Sequence, residues 1–256
     1  MTNRKNIFIT GAASGIGCET AGFFAKKGWL VGIVDIDRQG LASLADEIGE
    51  ENCFMCELDV TDADSVRQTI EKFGQKTGGG MDVLLNNAGI IKFGYFENVD
   101  LSMHKKIVDV NFTGCLNCIY HALELLKQSP GSRIINMSSA SSLYGLPDLS
   151  IYSATKHALS AMTEALNLEL EKHGIYVCDL KPPYVNTPLL EVEEEVISIK
   201  KMGINMQTDT VAQTIWKAAH DRKLHWEIGA TRILALVCWM FPFAKRFVVK
   251  TLAMGK

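Results

Sequence analysis

Six short apolar runs constrain this chain more than any other feature. Each ends at a glycine or a polar residue. They are Asn6–Thr10, Trp29–Asp35, Asn52–Leu58, Asp82–Leu85, Arg133–Met137 and Ile175–Leu180. Runs of ~4–8 apolar residues bounded by turn signals read as buried strands. Helical periodicity fills roughly Ile16–Lys27, Arg38–Ile48, Thr61 or Asp62 to Lys76, and Ile151–Lys172. Strands alternating with helices predict an α/β fold, a single doubly wound parallel sheet with helices on both faces. Ligands of such sheets bind beyond the carboxyl ends of the strands. Gly11, Asp35, Asp59, Asn86, Ser139 and Pro182 all fall at those ends. Without a repeat, a low-complexity tract or a clear linker, residues 1–256 read as one domain.

The first strand runs into Gly11–Gly17 (GAASGIG) and then a helix. A strand, a glycine-rich turn and a helix aim backbone N–H groups at a phosphate. The spacing G-x-x-x-G-x-G departs from the G-x-G-x-x-G dinucleotide fingerprint, yet it meets the same need for a tight turn and close backbone approach. The second strand ends in Asp35. An acid there accepts hydrogen bonds from both ribose hydroxyls of an adenosine and repels a 2′-phosphate. Ile36 stands where a basic residue would welcome that phosphate, while Arg38 nearby leaves a phosphorylated cofactor open.

Tyr152 and Lys156 lie four residues apart in the fourth helical stretch, so they share one helix face. A phenol has a pKa of about 10 and is a poor base at neutral pH. An ammonium beside it favours the phenolate and brings the group toward a range useful for proton transfer.

The net charge of −3 gives no case for nucleic acid as a partner. Seven cysteines, an odd number in a chain this large, point to a reducing compartment and a cytoplasmic location. Cys53-x-x-Cys56 sits in a strand-like run and Cys115-x-x-Cys118 in a helix-like run, so both read as core packing, with no metal expected. The start of the chain has no signal-peptide apolar region. No run reaches the ~18–20 apolar residues of a membrane span.

Taken together, Thr10–Gly17 (TGAASGIG), Asp59–Val60, Asn86–Gly89 (NNAG), Asn111, Ser139 and Tyr152–Lys156 (YSATK) resemble the short-chain dehydrogenase/reductase family, in its order and at its spacing. The resemblance covers about residues 5–190 and implies a Rossmann-like fold and an NAD cofactor. By it, Tyr152 is the general acid/base, Lys156 tunes it and holds the nicotinamide ribose, and Ser139 bonds the substrate oxygen. Asn111 is to hold a water linking the lysine to solvent. Gly11, Gly15 and Gly17 are to line the pyrophosphate, with Ser14 and Ile16 also among the cofactor-binding residues. Asp35 takes the adenine ribose, Asp59 and Val60 the adenine, Asn87 the inner part of the cofactor, and Thr187 its carboxamide. One position departs from the pattern: Pro182–Pro183 replaces the family's Pro-Gly, which puts the shape of the nicotinamide loop in question.

Residues 187–208 match the family's substrate lid, and here they carry Glu191, Glu193, Glu194 and Glu195. Expected pocket residues are Ile91, Phe93, Leu143, Tyr144 and Leu190. Their apolar character suggests a hydrophobic secondary alcohol or ketone, such as a steroid, retinoid or long-chain alcohol. Ala154, Ala158, Ala161 and Ala165 form a small-residue stripe on the Tyr–Lys helix, and the resemblance then implies a homodimer or homotetramer.

The tail, 231–256, is basic and apolar. After Pro242, Phe243, Phe247, Val248 and Leu252 cover one side of a helix, and Lys245, Arg246 and Lys250 fall mostly on the other. Two readings stand: a flap over the substrate pocket or a neighbouring subunit, and a peripheral membrane anchor.

The expected activity is hydride transfer between NAD(H) and an apolar secondary alcohol or ketone. Rival readings are an NADPH-dependent carbonyl reductase, a catalytically silent NAD-binding sensor or assembly protein, and a sugar-nucleotide epimerase or dehydratase. Asp35 opposes the first and the complete Asn111, Ser139, Tyr152 and Lys156 set the second. The third is opposed by the glycine spacing and the lack of a larger substrate domain.

Overall fold

The computed structural model describes residues 4–190 and 206–250. Strands β1 (Asn6–Thr10), β2 (Leu30–Asp35), β3 (Cys53–Glu57), β4 (Val83–Asn86), β5 (Arg133–Met137), β6 (Tyr176–Lys181) and β7 (His225–Glu227) make one sheet. The strand order is β3-β2-β1-β4-β5-β6-β7. All pairings are parallel. The doubly wound α/β sheet expected from the sequence is therefore present, and each of the six expected strands lies within one residue of its expected ends. β7 has no counterpart in the sequence reading, because His225–Trp226–Glu227 carries no apolar run.

The helices are α1 (Gly15–Lys26), α2 (Arg38–Ile48), α3 (Ala63–Thr77), α4 (Leu101–Val108), α5 (Gly114–Lys127), α6 (Ser150–Glu169), α7 (Thr208–Ala218), α8 (Thr231–Met240) and α9 (Lys245–Val249). Asp62, not Thr61, caps α3, accepting from the N–H groups of Asp64 and Ser65. α6 stops at Glu169, three residues short of expectation. A 3₁₀ turn (Glu171–His173) takes over, and Gly174 ends it with φ 71°.

Side chains alternate across the sheet as period two requires. Ile7 and Ile9 of β1 face α1, α2 and α7, packing with Phe24, Leu41 and Ile215. Phe8 faces α3, α5 and α6, packing with Phe73, Ile119 and Leu159. The seven cysteines are free thiols, and Cys53, Cys115, Cys118 and Cys178 are buried in these cores. A third, smaller cluster joins Tyr144, Leu146 and Leu149 to Cys238 of α8, with Leu234 and Val249 packed against it.

β1 pairs with β2 on one side and β4 on the other, so the chain reverses its winding there. That reversal opens a crevice at the carboxyl ends of β1 and β4.

Glu191, Glu193, Glu194, Glu195, most of the lid segment and Leu252 lie outside the described residues. Among the described residues, no helix is long and apolar enough to cross a membrane. Nor does any group of three His, Cys, Asp or Glu side chains there stand ready to hold a metal.

Candidate active site

The crevice begins at the glycine turn. Gly11 and Gly15 have φ of 66° and 54°, a region that penalises any Cβ. A Cβ on Gly17 would fall 2.1 Å from the Gly11 carbonyl oxygen, so only hydrogen fits. Ser14 precedes α1 with extended backbone (φ −151°), and its side chain makes no capping bond. The first-turn N–H groups of α1 are thus left without a side-chain cap at the crevice, suited to a pyrophosphate.

A cleft of about 340 Å³ runs from this turn, lined by Gly11, Ser14, Gly15, Ile16, Asp35, Asp59, Val60, Asn87 and Thr187. That lies within the ~300–1,000 Å³ typical of ligand clefts. Asp35 is held firmly: its Oδ2 accepts from the Ala13 N–H and its Oδ1 from the Asp37 N–H, both at 3.0 Å. Asp59 Oδ1 accepts from the Thr61 N–H at 2.9 Å and from its hydroxyl at 2.8 Å. Thr187 packs across from Gly15, where a Cβ would meet its Cγ2 at 3.2 Å. The double proline leaves Thr187 facing the crevice. The donors, the fixed acid and the size of the cleft fit a dinucleotide.

The loop after β4 is pinned by Thr10, whose Oγ1 accepts from the N–H groups of Asn87 and Ala88, each at 3.0 Å. Asn87 Nδ2 donates to the Thr10 and Gly11 carbonyls at 3.0 and 2.9 Å. In this structure its amide therefore braces the glycine turn while lining the cleft. Asn111 is buried in a π-helical turn, Asp109–Thr113, between α4 and α5. Its Oδ1 accepts from the Ile90 N–H at 2.8 Å and its Nδ2 donates to the Ile90 carbonyl at 3.0 Å. Asn111 thus clasps the same loop from the other side.

Tyr152, Lys156 and Ser139 converge beside the cleft. Lys156 Nζ lies 5.5 Å from the Tyr152 ring centroid and donates to the Met137 carbonyl at 2.7 Å. Burial lowers the lysine pKa to about 8. Burial likewise raises the Tyr152 phenol to about 12, against which a Ser139 side-chain hydrogen bond works. The sequence expectation that lysine pulls this phenol down is not met in the protein alone. The ammonium is turned to a backbone carbonyl, and desolvation of the phenolate dominates. Ser139 has extended backbone (φ −162°) at the end of β5, and its Oγ accepts from the Ser141 N–H at 3.2 Å.

A second hollow of about 100 Å³ joins the cleft over these residues, lined by Ile91, Met137, Ser139, Tyr144, Leu146, Leu149, Tyr152, Tyr184 and Leu190, among others. Of the expected pocket residues, Ile91, Tyr144 and Leu190 line it. Phe93 and Leu143 do not, and pack instead against the Tyr144–Leu149 cluster. Tyr184 is missed by sequence reasoning, although it directly follows the unusual Pro182–Pro183. It acts electrostatically on both Tyr144 and Tyr152.

A buried polar network supports the site from beneath, and no sequence signal reveals it. Asn86 Nδ2 donates to Asn136 Oδ1, and Asn136 Nδ2 donates to Thr163 Oγ1, each at 2.9 Å. Ser138 Oγ donates to the Lys156 carbonyl at 3.1 Å. These bonds tie β4 and β5 to α6, which fixes the height of Tyr152 and Lys156 above the sheet.

A family model described as short chain dehydrogenase matches residues 5–196. The chain is 34% identical over 227 residues to the 3-oxoacyl-(acyl-carrier-protein) reductase FabG of Thermotoga maritima, covering 85% of this chain and 91% of that protein. It is 29% identical over 218 residues to cyclohexanol dehydrogenase of an Acinetobacter species, covering 83% and 86%. A crystal structure of 3-ketoacyl-(acyl-carrier-protein) reductase from Brucella melitensis complexed with NADH superposes with a TM-score of 0.79 at 31% identity, covering 88% and 96%. Solved structures of this shape are found with NAD or with an NADP-type cofactor.

Proposed function

The chain belongs to the short-chain dehydrogenase family, and from that premise we propose that it moves hydride between NAD(H) and an apolar secondary alcohol or its ketone. The observation that carries this reading is the meeting of Ser139, Tyr152 and Lys156 on the wall of a mostly apolar hollow that opens onto the dinucleotide-shaped cleft. The nicotinamide, when bound, supplies the hydride chemistry.

The protein's own residues supply position and a proton. Ser139 and Tyr152 hydroxyls hold the reacting oxygen of the substrate, a proximity effect. With its pKa raised by burial, the Tyr152 phenol keeps its proton at neutral pH. It is ready to give that proton to a carbonyl oxygen as the ketone is reduced. Running the reaction as an oxidation requires Lys156 to help remove the same proton. Asn111 and Thr10 hold the loop on which the inner end of the cofactor rests.

Asp35 supports NAD(H) over NADP(H). Its carboxylate is fixed at the cleft by two backbone N–H groups, so it cannot swing away from a 2′-phosphate. The exposed face of α6, with Ala154, Ala161 and Ala165 open to solvent, supports a dimer through that helix. The seven free thiols support a cytoplasmic location.

The test is nicotinamide fluorescence with NADH and NADPH, scanned over aliphatic, alicyclic and steroid alcohols and ketones with Tyr152→Phe as control. Turnover with NAD(H) that collapses in the variant is the expected result. Tight NADH binding without turnover on any compound would favour a silent binder.

A further inference from the structure

The outer face of α8 is bare among the described residues. From Ile233 to Met240 α8 carries only apolar side chains, a pattern that belongs to a helix covered all round. Its inner side is covered: Thr231 and Cys238 are buried, and Leu234 packs toward Tyr144 and Leu149. Its outer side is not. Ile233 is 69% exposed, Leu236 53% and Trp239 80%, and Phe243 just beyond the helix is 83% exposed. Solitary exposed apolar residues are ordinary, but a contiguous patch of large ones marks a contact surface.

The charge around this patch identifies its partner. Between Ile228 and Lys256 the chain has no acidic residue, while Arg232, Lys245, Arg246, Lys250 and Lys256 are basic. Arg232, Lys245, Arg246 and Lys250 are exposed beside the apolar patch. Three of them, Lys245, Arg246 and Lys250, also line a groove with Leu143, Tyr144 and Val249. A second copy would meet the patch with itself, since two-fold interfaces are self-complementary. Like charges would then face one another with no carboxylate in the segment to offset them. A bilayer with anionic headgroups satisfies both halves of the surface: acyl chains take the tryptophan and phenylalanine, and headgroups take the basic residues.

We propose that residues 231–250 form an interfacial anchor that seats the protein on an anionic lipid surface. The seat lies against the catalytic hollow, because Tyr144 lines both that hollow and the cationic groove. The surface would therefore deliver lipid-borne compounds beside the hollow, but the binding itself needs no turnover and stands or falls separately from the proposed reaction.

The experiment is flotation of the full chain with vesicles of phosphatidylcholine alone or mixed with phosphatidylglycerol, across a salt series. Expected results are binding to the mixed vesicles only, weakening as salt rises, and a blue shift of tryptophan emission that Trp239→Phe removes. Lys245→Glu with Arg246→Glu should cut partitioning by about tenfold or more, and Trp239→Ser with Phe243→Ser should do the same. Unchanged melting temperature and NADH affinity would certify these variants as folded. Absence of wild-type binding to mixed vesicles overturns the proposal. So does salt-insensitive binding to both kinds of vesicle, or a dimer that dissolves with the tail substitutions while vesicle binding is nil. The wild-type salt series decides the matter even if a variant fails to fold.

Discussion

Lys156 Nζ stands 5.5 Å from the centre of the Tyr152 ring, one helical turn along α6, and gives a hydrogen bond to the Met137 carbonyl at 2.7 Å. The carbonyl belongs to the last residue of β5. The lysine is therefore a strut between helix and sheet as well as a neighbour of the phenol. Its removal ends both jobs at once. Lys156→Met takes a buried charge out of the core and should abolish turnover. At pH 7 the folded protein carries the cost of burying the ammonium, because its pKa there, about 8, is below the unfolded value. The variant is thus expected to melt ~3 °C or more above wild type at pH 7. As pH rises from 8 toward the unfolded lysine pKa, wild type loses that cost and the gap should narrow. Thermal melts at pH 7 and at pH 9.5 read both points; a gap that widens with pH contradicts the assignment.

Tyr152→Phe should lower kcat by ~10²–10⁴-fold while leaving NADH affinity within a factor of about three. Because burial raises the phenol to about 12, its proton is in place through the neutral range. Ketone reduction should then be nearly flat with pH through neutrality, and alcohol oxidation should climb as pH rises. Initial rates in both directions against pH test this; oxidation falling from pH 7 to 9 would be the contrary result.

Asp35→Ser removes the acid that two backbone N–H groups aim at the cofactor cleft. The ratio of kcat/KM for NADPH to that for NADH should rise by about tenfold or more, the scale of one lost close charge repulsion of ~1.4 kcal/mol. Coenzyme titrations of the two proteins measure it.

Asn136→Ala leaves the Asn86 amide and the Thr163 hydroxyl without the bonds that now link them. The Asn86 N–H is then stranded in the core at a cost of about 1–3 kcal/mol, while the Thr163 hydroxyl still donates to the Leu159 carbonyl. Urea unfolding should show a loss of that order with the slope unchanged. Turnover should fall as well, since the network sets the height of α6 over β5.

Ala161→Arg places a long charged side chain on the exposed face of α6. If that face joins two copies, sedimentation should show dissociation to monomer with cofactor affinity kept.

The strand ends were legible because strand propensity, apolar run and turn residue coincide at each of them. Asp35 shows it well: one residue closes an apolar run, starts a turn and lines the cleft. The Tyr152–Lys156 face was legible from spacing alone. Spacing, however, says nothing of burial, and burial reverses the expected effect on the Tyr152 phenol. The Asn111 clasp on Ile90 and the Asn86–Asn136–Thr163 chain were not legible either. Their partners lie 21 to 50 residues apart and meet only after the sheet forms. β7 was silent because its three half-buried residues are held by pairing with β6 rather than by their own character.

The reversal of winding between β1 and β4 has one more consequence. The walls of the crevice come from two halves of the chain: Gly11, Asp35 and Asp59 from the first, Ser139, Tyr152 and Thr187 from the second. A dinucleotide lying across them would be a seam, stitching together two halves of the sheet that otherwise meet along β1 and β4. A ligand at about a hundred times its dissociation constant adds ~2.7 kcal/mol to the folded state. Here that gain would be felt at the junction first, so amides at the ends of β1 and β4 should slow their hydrogen exchange more than those of the sheet's outer strands. Cofactor supply in the cell would then set the protein's lifetime as well as its activity.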